Sequence, residues 1–362
     1  MSNIIFRSPS KYIQGKGALE SIGEYSKLIG RNPLIISDDI VWGITEEVIS
    51  KSLKAADMDH HYVQFNGEAS KNEIERISKE GKQHNVDTVI GVGGGKTLDT
   101  SKAIADILGV SVIIVPSTAS TDAPTSALSV IYNDKGIFES YQFFDKNPDL
   151  VLVDTSVVAG APARLFSSGI ADAMATWVEA RATIKSRGTT MAGGKTSIAA
   201  KAIAEACERT LFEYGEMAFK AVQKGLVTEH VEAVVEANTL LSGLGFESGG
   251  LAGAHAIHNG FTVLEGQIHE LTHGEKVAYG TLIQLVLELH PKDEITKYID
   301  FYRSLGLPTT LKEMHLEDTP YEELYEVGKA ATQEGETMGN LSADITADDI
   351  VHAILAVDQL SQ

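Results

Sequence analysis

The sequence predicts two domains of different class: an α/β N-terminal domain with a mainly parallel sheet (1–160) and an all-α C-terminal domain (161–362). Three observations carry this. The first 150 residues alternate short apolar runs with helical patterns. From Pro162 onward strand-like runs stop, and Ala, Glu and Leu dominate. A chain of 362 residues also exceeds one average domain, so two are expected. Hydrophobic content of 43% and charged content of 22% describe an ordinary globular protein that buries a large core without staples.

Pro33–Ser37 reads as a strand running into Asp38 and Asp39, and Val41–Ala56 as a helix. His61–Phe65 is a second strand and Lys71–Asn85 a second helix. Asp87–Val92 is a third strand, followed at once by Gly93-Gly94-Gly95. Lys96–Leu108 is helical, and Val110–Val115 is the fourth strand. These strands hardly alternate, which marks a parallel sheet covered on both faces. Leu128–Tyr132 and Ile137–Phe144 flank Asn133-Asp-Lys-Gly136, a hairpin expected to lie on that sheet; Val151–Asp154 closes the half. Pro162 suits a helix first turn. Helical periodicity then marks Ile170–Thr183, Thr196–Tyr214, Glu229–Leu244, Val277–His290, Glu294–Leu305, Tyr321–Thr332 and Ala347–Leu360.

The formal net charge of −20 argues against a nucleic-acid backbone or an anionic membrane as partner. Cys207 is the sole cysteine, so there is no intrachain disulfide and no thiolate metal cage. Met1–Gly15 has no apolar core of signal-peptide length, and no apolar run approaches a membrane span. A cytoplasmic location is expected.

Strand, Gly93-Gly94-Gly95, then helix is an anion site in outline. Glycines admit a phosphate close to the backbone, and the first N–H groups of the helix point at it. The turn fits neither standard template. The dinucleotide fingerprint G-x-G-x-x-G meets Lys96 where its third glycine belongs, and no acidic residue ends a strand about 20 residues later. Walker A fails by one residue: Gly95-Lys96-Thr97 is present, but position 90 is Ile. A generic pyrophosphate cradle remains. The hydroxyl-rich loop Pro116–Ser126, holding Asp122, follows the next strand and belongs at the same carboxyl edge, where open α/β sheets bind ligands.

Four of the 11 histidines fall between His255 and His273, far above an even spread. Gly and Ala around His255, with Ile257, Phe261, Val263 and Leu264 nearby, favour a metal site over a polar surface. Asp172 stands in Gly169-Ile-Ala-Asp-Ala, where a carboxylate is poorly solvated without a partner. One Asp with two histidines leaves an open position, the pattern of a catalytic zinc; a carboxylate here also serves as a helix-start charge. His269-Glu-Leu-Thr-His273 matches the protease motif H-E-x-x-H, with Glu270 as base. Gly274 would interrupt its helix, and the longer metzincin pattern fails at Lys276 and Tyr279. An α/β half with a nucleotide cradle has no role in a protease.

Five stretches now stand in order: Gly91-Val-Gly93-Gly94-Gly95-Lys96-Thr-Leu-Asp99, Ala119-Ser-Thr-Asp122-Ala-Pro, Gly169-Ile-Ala-Asp172-Ala, Ala254-His255-Ala-Ile-His258-Asn-Gly, and His273-Gly-Glu-Lys-Val-Ala. Over nearly the whole chain they resemble the glycerol dehydrogenase family, within the iron-containing (group III) alcohol dehydrogenases. The resemblance implies the dehydroquinate synthase-like fold. It implies NAD between the domains and a zinc held by Asp172, His255 and His273. Gly94, Gly95 and Lys96 would meet the pyrophosphate, and Asp38 the adenosine ribose. Ser117, Thr118, Ser126, Leu128 and Tyr132 would line the rest of the cofactor site. Asp122 would bind a substrate hydroxyl. His258 and His269 match positions that are not metal ligands in the family.

Departures are informative. Iron enzymes carry a further histidine where this chain has Thr176, which favours zinc. Glu270 creates the H-E-x-x-H match, and Ser117 replaces a usual Thr but keeps its hydroxyl. The implied activity is NAD-dependent, zinc-assisted oxidation of glycerol to dihydroxyacetone, and the reverse, extending to other small vicinal diols. Another group III polyol dehydrogenase or a dehydroquinate-synthase-like lyase is the alternative, though the latter calls for a basic pocket and the His stretch holds only Lys276. A homo-oligomer is implied, as is no general base other than water.

Overall fold

The computed structural model describes residues 3–134 and 136–362, with Phe138 by its backbone alone. An N-terminal parallel six-stranded α/β sheet is followed by a largely helical region. The elements run β1 (Tyr12–Gly15), α1 (Ile22–Ser26), β2 (Pro33–Ser37), α2 (Asp39–Ala55), β3 (His61–Gln64), α3 (Lys71–Gln83), β4 (Thr88–Gly93), α4 (Gly95–Leu108), β5 (Ser111–Pro116), β6 (Leu128–Tyr132), β7 (Phe138–Phe143), β8 (Leu150–Asp154) and α5 (Thr155–Gly160). Helices follow: α6 (Ala163–Ser186), α7 (Ile198–Val222), α8 (Glu229–Glu236), α9 (Ser242–Gly249), α10 (Gly253–Phe261), α11 (His273–Leu287), α12 (Lys292–Ser304), α13 (Tyr321–Ala331) and α14 (Ala347–Leu360). None of these helices is long and apolar enough to cross a membrane.

Two compact units emerge. One comprises Arg7–Pro162 with Ala221–Leu240. The other comprises the N-terminal segment up to Phe6, Ala163–Lys220 and Leu241–Gln362.

The strand order in the first unit is β1-β8-β5-β4-β2-β3, all parallel. Every residue of β2, β4 and β8 is buried, as expected of strands covered on both faces. Ile35, Ile90, Val92, Ile113, Val115, Leu150 and Leu152 form one core with Trp42, Ile49 and Leu53 of α2. Truncating one such residue to Ala costs about 2–5 kcal/mol. α4 lies on the opposite face, so close that a Cβ on Gly93 would sit 2.6 Å from the Thr97 hydroxyl oxygen and one on Gly91 2.3 Å from that of Ser101. β2 crosses to β3 on one side while β4 crosses to β5 on the other. Their carboxyl ends, at Asp38 and Gly93, are therefore neighbours at a topological switch point.

Sequence and structure differ in several places; α1 and α5 were not marked by periodicity, and the expected Glu229–Leu244 helix is divided between α8 and α9. β1 is a short edge strand that periodicity did not mark. α10 is a helix within the histidine-rich stretch. The hairpin is not laid on the large sheet: β6 and β7 form their own antiparallel pair, with a bulge at Ile131/Tyr132. It packs on α4, where Ser129 Oγ donates to the Asp99 carbonyl (2.8 Å) and Val130 N to Asp99 Oδ2 (3.0 Å). Lys135 of the expected turn lies outside the described residues.

Candidate metal centre and nucleotide cradle

Three helices of the second unit converge on one point. Asp172 lies on α6, His255 on α10, and His273 opens α11. Asp172 Oδ1 is 3.3 Å from His255 Nε2 and 3.1 Å from His273 Nε2. One donor atom from each residue lies within 4.8 Å of the others, and among the described residues this is the group of three that could hold a metal ion. Asp172 is fully buried and His255 nearly so, while His273 is half-exposed, so the centre is open on one side.

Neighbours aim each ligand. Glu179 lies seven residues after Asp172, on the same face of α6. Its Oε2 is 2.6 Å from His255 Nδ1, so Glu179 accepts the Nδ1 proton in a hydrogen bond and turns Nε2 toward Asp172. The other oxygen, Oε1, accepts from Ala252 N and His255 N, and Gln284 Oε1 accepts from Gly253 N and Ala254 N. The buried start of α10 is thus satisfied by side chains from α6 and α11 rather than by a cap of its own.

α11 starts with a capping box between Thr272 and Glu275, and Arg164 of α6 grips Glu275 through two 2.7 Å contacts. Gly274 lets α11 lie against α6, because a Cβ there would be 1.8 Å from the Ser168 carbonyl oxygen.

The electrostatics fit a cation. Burial alone would raise the Asp172 carboxyl, but the His273 and His255 imidazoles outweigh it and hold it far below the usual carboxylate range. Burial would lower His255, yet the Glu179 and Asp172 carboxylates hold it well above the ordinary histidine value. His258 has no such partner; burial and the nearby charges of His273, Lys276 and His255 keep it well below. Metal ligation needs neutral imidazoles. The two carboxylates touching His255 then carry two negative charges, which a divalent cation balances.

The remaining histidines of the cluster are outside the group of three, though His258 packs against it. The His258 ring is 4.2 Å from that of His273, with Nδ1 on Asn259. His269 Nε2 is bonded to the Leu264 carbonyl oxygen (2.6 Å). It sits in a short turn, Gln267–Glu270, separated from α11 by extended backbone at Leu271. His269 and His273 therefore do not share the helix that an H-E-x-x-H zinc site requires. Thr176 is buried, its hydroxyl paired with Ser242 (3.0 Å).

The first unit carries an anion cradle. Gly94 is the N-cap of α4, and no side chain caps that terminus. A Cβ at Gly94 would meet nothing within 4 Å, and one at Gly95 only Thr121 at 3.4 Å. The start of α4 therefore has room beside its glycines and no side-chain cap, a fit for phosphate oxygens. Asp38, Asn66, Gly67, Gly94, Gly95 and Lys96 line one groove there. Asp38 caps α2 through Oδ1, which accepts from Ile40 N and Val41 N at 2.9 Å each.

Ser117 N donates to the Gly93 carbonyl, tying the next loop to the cradle. The Thr118 hydroxyl pairs with Ser120, and Asp122 opens the turn Ala123–Thr125 in the same loop. Tyr132 lies under the Lys96 ammonium, 5.2 Å away.

Ser126 and Leu128 reveal a residue that periodicity could not. The Lys102 ammonium is almost fully buried beside Asp99 (2.8 Å). It donates to the carbonyls of Ala123 (2.9 Å) and Leu128 and contacts the Ser126 hydroxyl (3.3 Å). The i, i+3 spacing of Asp99 and Lys102 was the available signal, but it reads equally as a solvated surface pair.

The model for iron-containing alcohol dehydrogenases matches residues 9–155. Glycerol dehydrogenase of Citrobacter freundii is 48% identical over 358 residues, 99% of this chain and 98% of that one. Glycolaldehyde reductase of Halobacterium salinarum is 47% identical, covering 99% of this chain and 98% of the relative. The crystal structure of glycerol dehydrogenase from Schizosaccharomyces pombe superposes with a TM-score of 0.97 at 45% identity, over 100% of this chain and 92% of the other. The chain belongs to the iron-containing alcohol dehydrogenase family. It is an oxidoreductase, and its full-length relatives include members named glycerol dehydrogenase.

Proposed function

We propose that this protein is an NAD-dependent, zinc-assisted dehydrogenase that interconverts glycerol and dihydroxyacetone and accepts other small vicinal diols. The observation that carries the reading is the buried Asp172–His255–His273 trio with Glu179 behind it. Full-length relatives named glycerol dehydrogenase support the substrate. Residues 161–362 hold the metal in this reading, and residues 1–160 the cofactor.

A zinc held by Asp172, His255 and His273 would supply a Lewis acid for a substrate hydroxyl, and an NAD held at Gly94, Gly95 and Lys96 would supply the hydride acceptor. The chain supplies placement. Asp172 stays ionised, Glu179 turns His255 Nε2 toward it, and His273 completes the set. Thr176, where iron enzymes have a fourth nitrogen, favours zinc. Asp122 orients a second hydroxyl of the polyol. Gly94, Gly95 and Lys96 hold the pyrophosphate, Asp38 the ribose, and Ser117, Thr118, Ser126, Leu128 and Tyr132 shape the remainder. The hydroxyl proton leaves through water. The working form is a homo-oligomer in the cytoplasm.

The test follows NADH absorbance with NAD and glycerol, then after a chelator, then after added zinc. Glycerol-dependent NADH that vanishes with the chelator and returns with zinc supports the reading. Inactivity of zinc-loaded protein toward glycerol and other vicinal diols overturns it. The nearly equal identity to a glycolaldehyde reductase favours a second reading, reduction of a small hydroxyaldehyde. A higher kcat/KM for glycolaldehyde than for dihydroxyacetone, with NADH, would select it.

A further inference from the structure

We propose that Glu68 is the resting counter-ion of Lys96 and sets how tightly the dinucleotide is held and how fast it leaves. This rests on the reading that Gly94, Gly95 and Lys96 meet the pyrophosphate.

Lys96 is the second residue of α4, whose start no side chain caps. The Lys96 ammonium is committed elsewhere: its Nζ is 2.7 Å from Glu68 Oε2 and stands over the Tyr132 ring. Glu68 is built into its position. Its Oε1 accepts from Ala69 N (3.1 Å), and its side chain is only 20% exposed. The segment that follows is stitched to the hairpin. Tyr132 N donates to the Ala69 carbonyl (3.0 Å), Ser70 Oγ to Asp134 Oδ1 (2.6 Å), and Lys71 pairs with Glu139 (2.8 Å). The backbone that carries Glu68 is therefore held in place when Lys96 turns away.

The consequence is electrostatic. A pyrophosphate brings two negative charges to the helix start. To reach it, Lys96 must leave Glu68, and the carboxylate is then left unpaired beside the incoming anion. Part of the binding energy is spent on that exchange, so Glu68 weakens the grip and shortens the residence time. For an enzyme that must release its cofactor each cycle, this favours turnover over affinity.

The test measures NADH by fluorescence titration and stopped-flow displacement, and ADP-ribose by calorimetry, on the metal-loaded protein with no polyol present, so turnover plays no part. Glu68→Gln keeps the shape and the oxygen that Ala69 needs. It should bind both ligands about three- to fivefold more tightly, the size of one solvent-exposed ion pair, with the gain in slower dissociation. Adenosine, which lacks the pyrophosphate, should bind wild type and variant alike. In a Lys96→Met background the gain from Glu68→Gln should fall below twofold.

Unchanged or weaker NADH binding by Glu68→Gln, altered adenosine binding, or a full gain retained without Lys96 would each overturn the proposal. A Lys96→Met variant that binds NADH as tightly as wild type would instead overturn the pyrophosphate reading beneath it.

Discussion

The candidate metal centre and the candidate nucleotide cradle are suited to a charged partner in opposite ways. The centre is made of side chains, buried and hydrogen-bonded from behind, with Glu179 and Gln284 fixing the helix that carries His255. The cradle is made of backbone: an uncapped helix start and two glycines with free space in front of them. A divalent ion needs a few donors at fixed points, which only a preorganised cluster supplies. A long flexible dinucleotide needs reach and release, which an open surface supplies. The lesson is that rigidity is placed where the ligand is small and multiply charged.

The largest expected effect breaks the centre. His255→Ala should lose bound zinc, measured by atomic emission, and reduce turnover to background while NADH binding in the other unit stays near wild type. Loss of both would mean that the two regions are not separable.

Next comes the hidden anchor of the cradle side. Lys102→Met removes a buried ammonium and strands Asp99, whose carboxyl burial already pushes upward against the pull of Lys102. It should cost about 3–5 kcal/mol in urea unfolding. A cost under 1 kcal/mol would show that the loop carrying Ser126 and Leu128 does not depend on it.

Glu179→Gln should follow, weakening zinc affinity by about 10- to 100-fold in a competition titration with a chelator. Unchanged affinity would remove Glu179 from any role in aiming His255.

The smallest effect sharpens the cradle wall. Glu73 accepts from Asn66 N (2.8 Å) and pairs with Arg76 (2.7 Å). Burial raises its carboxyl, but the Arg76 and Asn66 bonds outweigh this and hold it below its usual value. A lowered folded-state pKa means the contribution is present above the ordinary carboxylate range and fades as pH falls through the folded value. Glu73→Gln should therefore cost about 1 kcal/mol at neutral pH and converge on wild type in acid, followed by denaturation at several pH values. A gap that stays constant into acid would mean the charge is irrelevant.

The two regions also differed in how far the sequence exposed them. The cradle was legible because strand, glycines and helix are contiguous, and the expected Pro33–Ser37 strand coincides with β2. The trio was legible as residue types, through the density of histidines and an Asp among Gly and Ala. Its support was not. α10 is only nine residues, with Gly, Ala and His around its apolar positions, and its first N–H groups are satisfied by Glu179 and Gln284, 73 and 31 residues away in sequence. No local pattern encodes a cap supplied by tertiary packing. β1 escaped for a simpler reason: four half-buried residues at a sheet edge give too short a period to read.

The double duty of Glu179 reaches beyond geometry. One carboxylate both fixes the His255 ring and accepts the first amides of α10, so filling the centre and ordering that helix become a single linked equilibrium. Ion bound to the folded chain and not to the unfolded one raises the melting temperature by mass action. A simple heat-denaturation curve, run across a series of buffered zinc concentrations, then reads out occupancy without any substrate, and the protein serves as its own thermometer of metal supply.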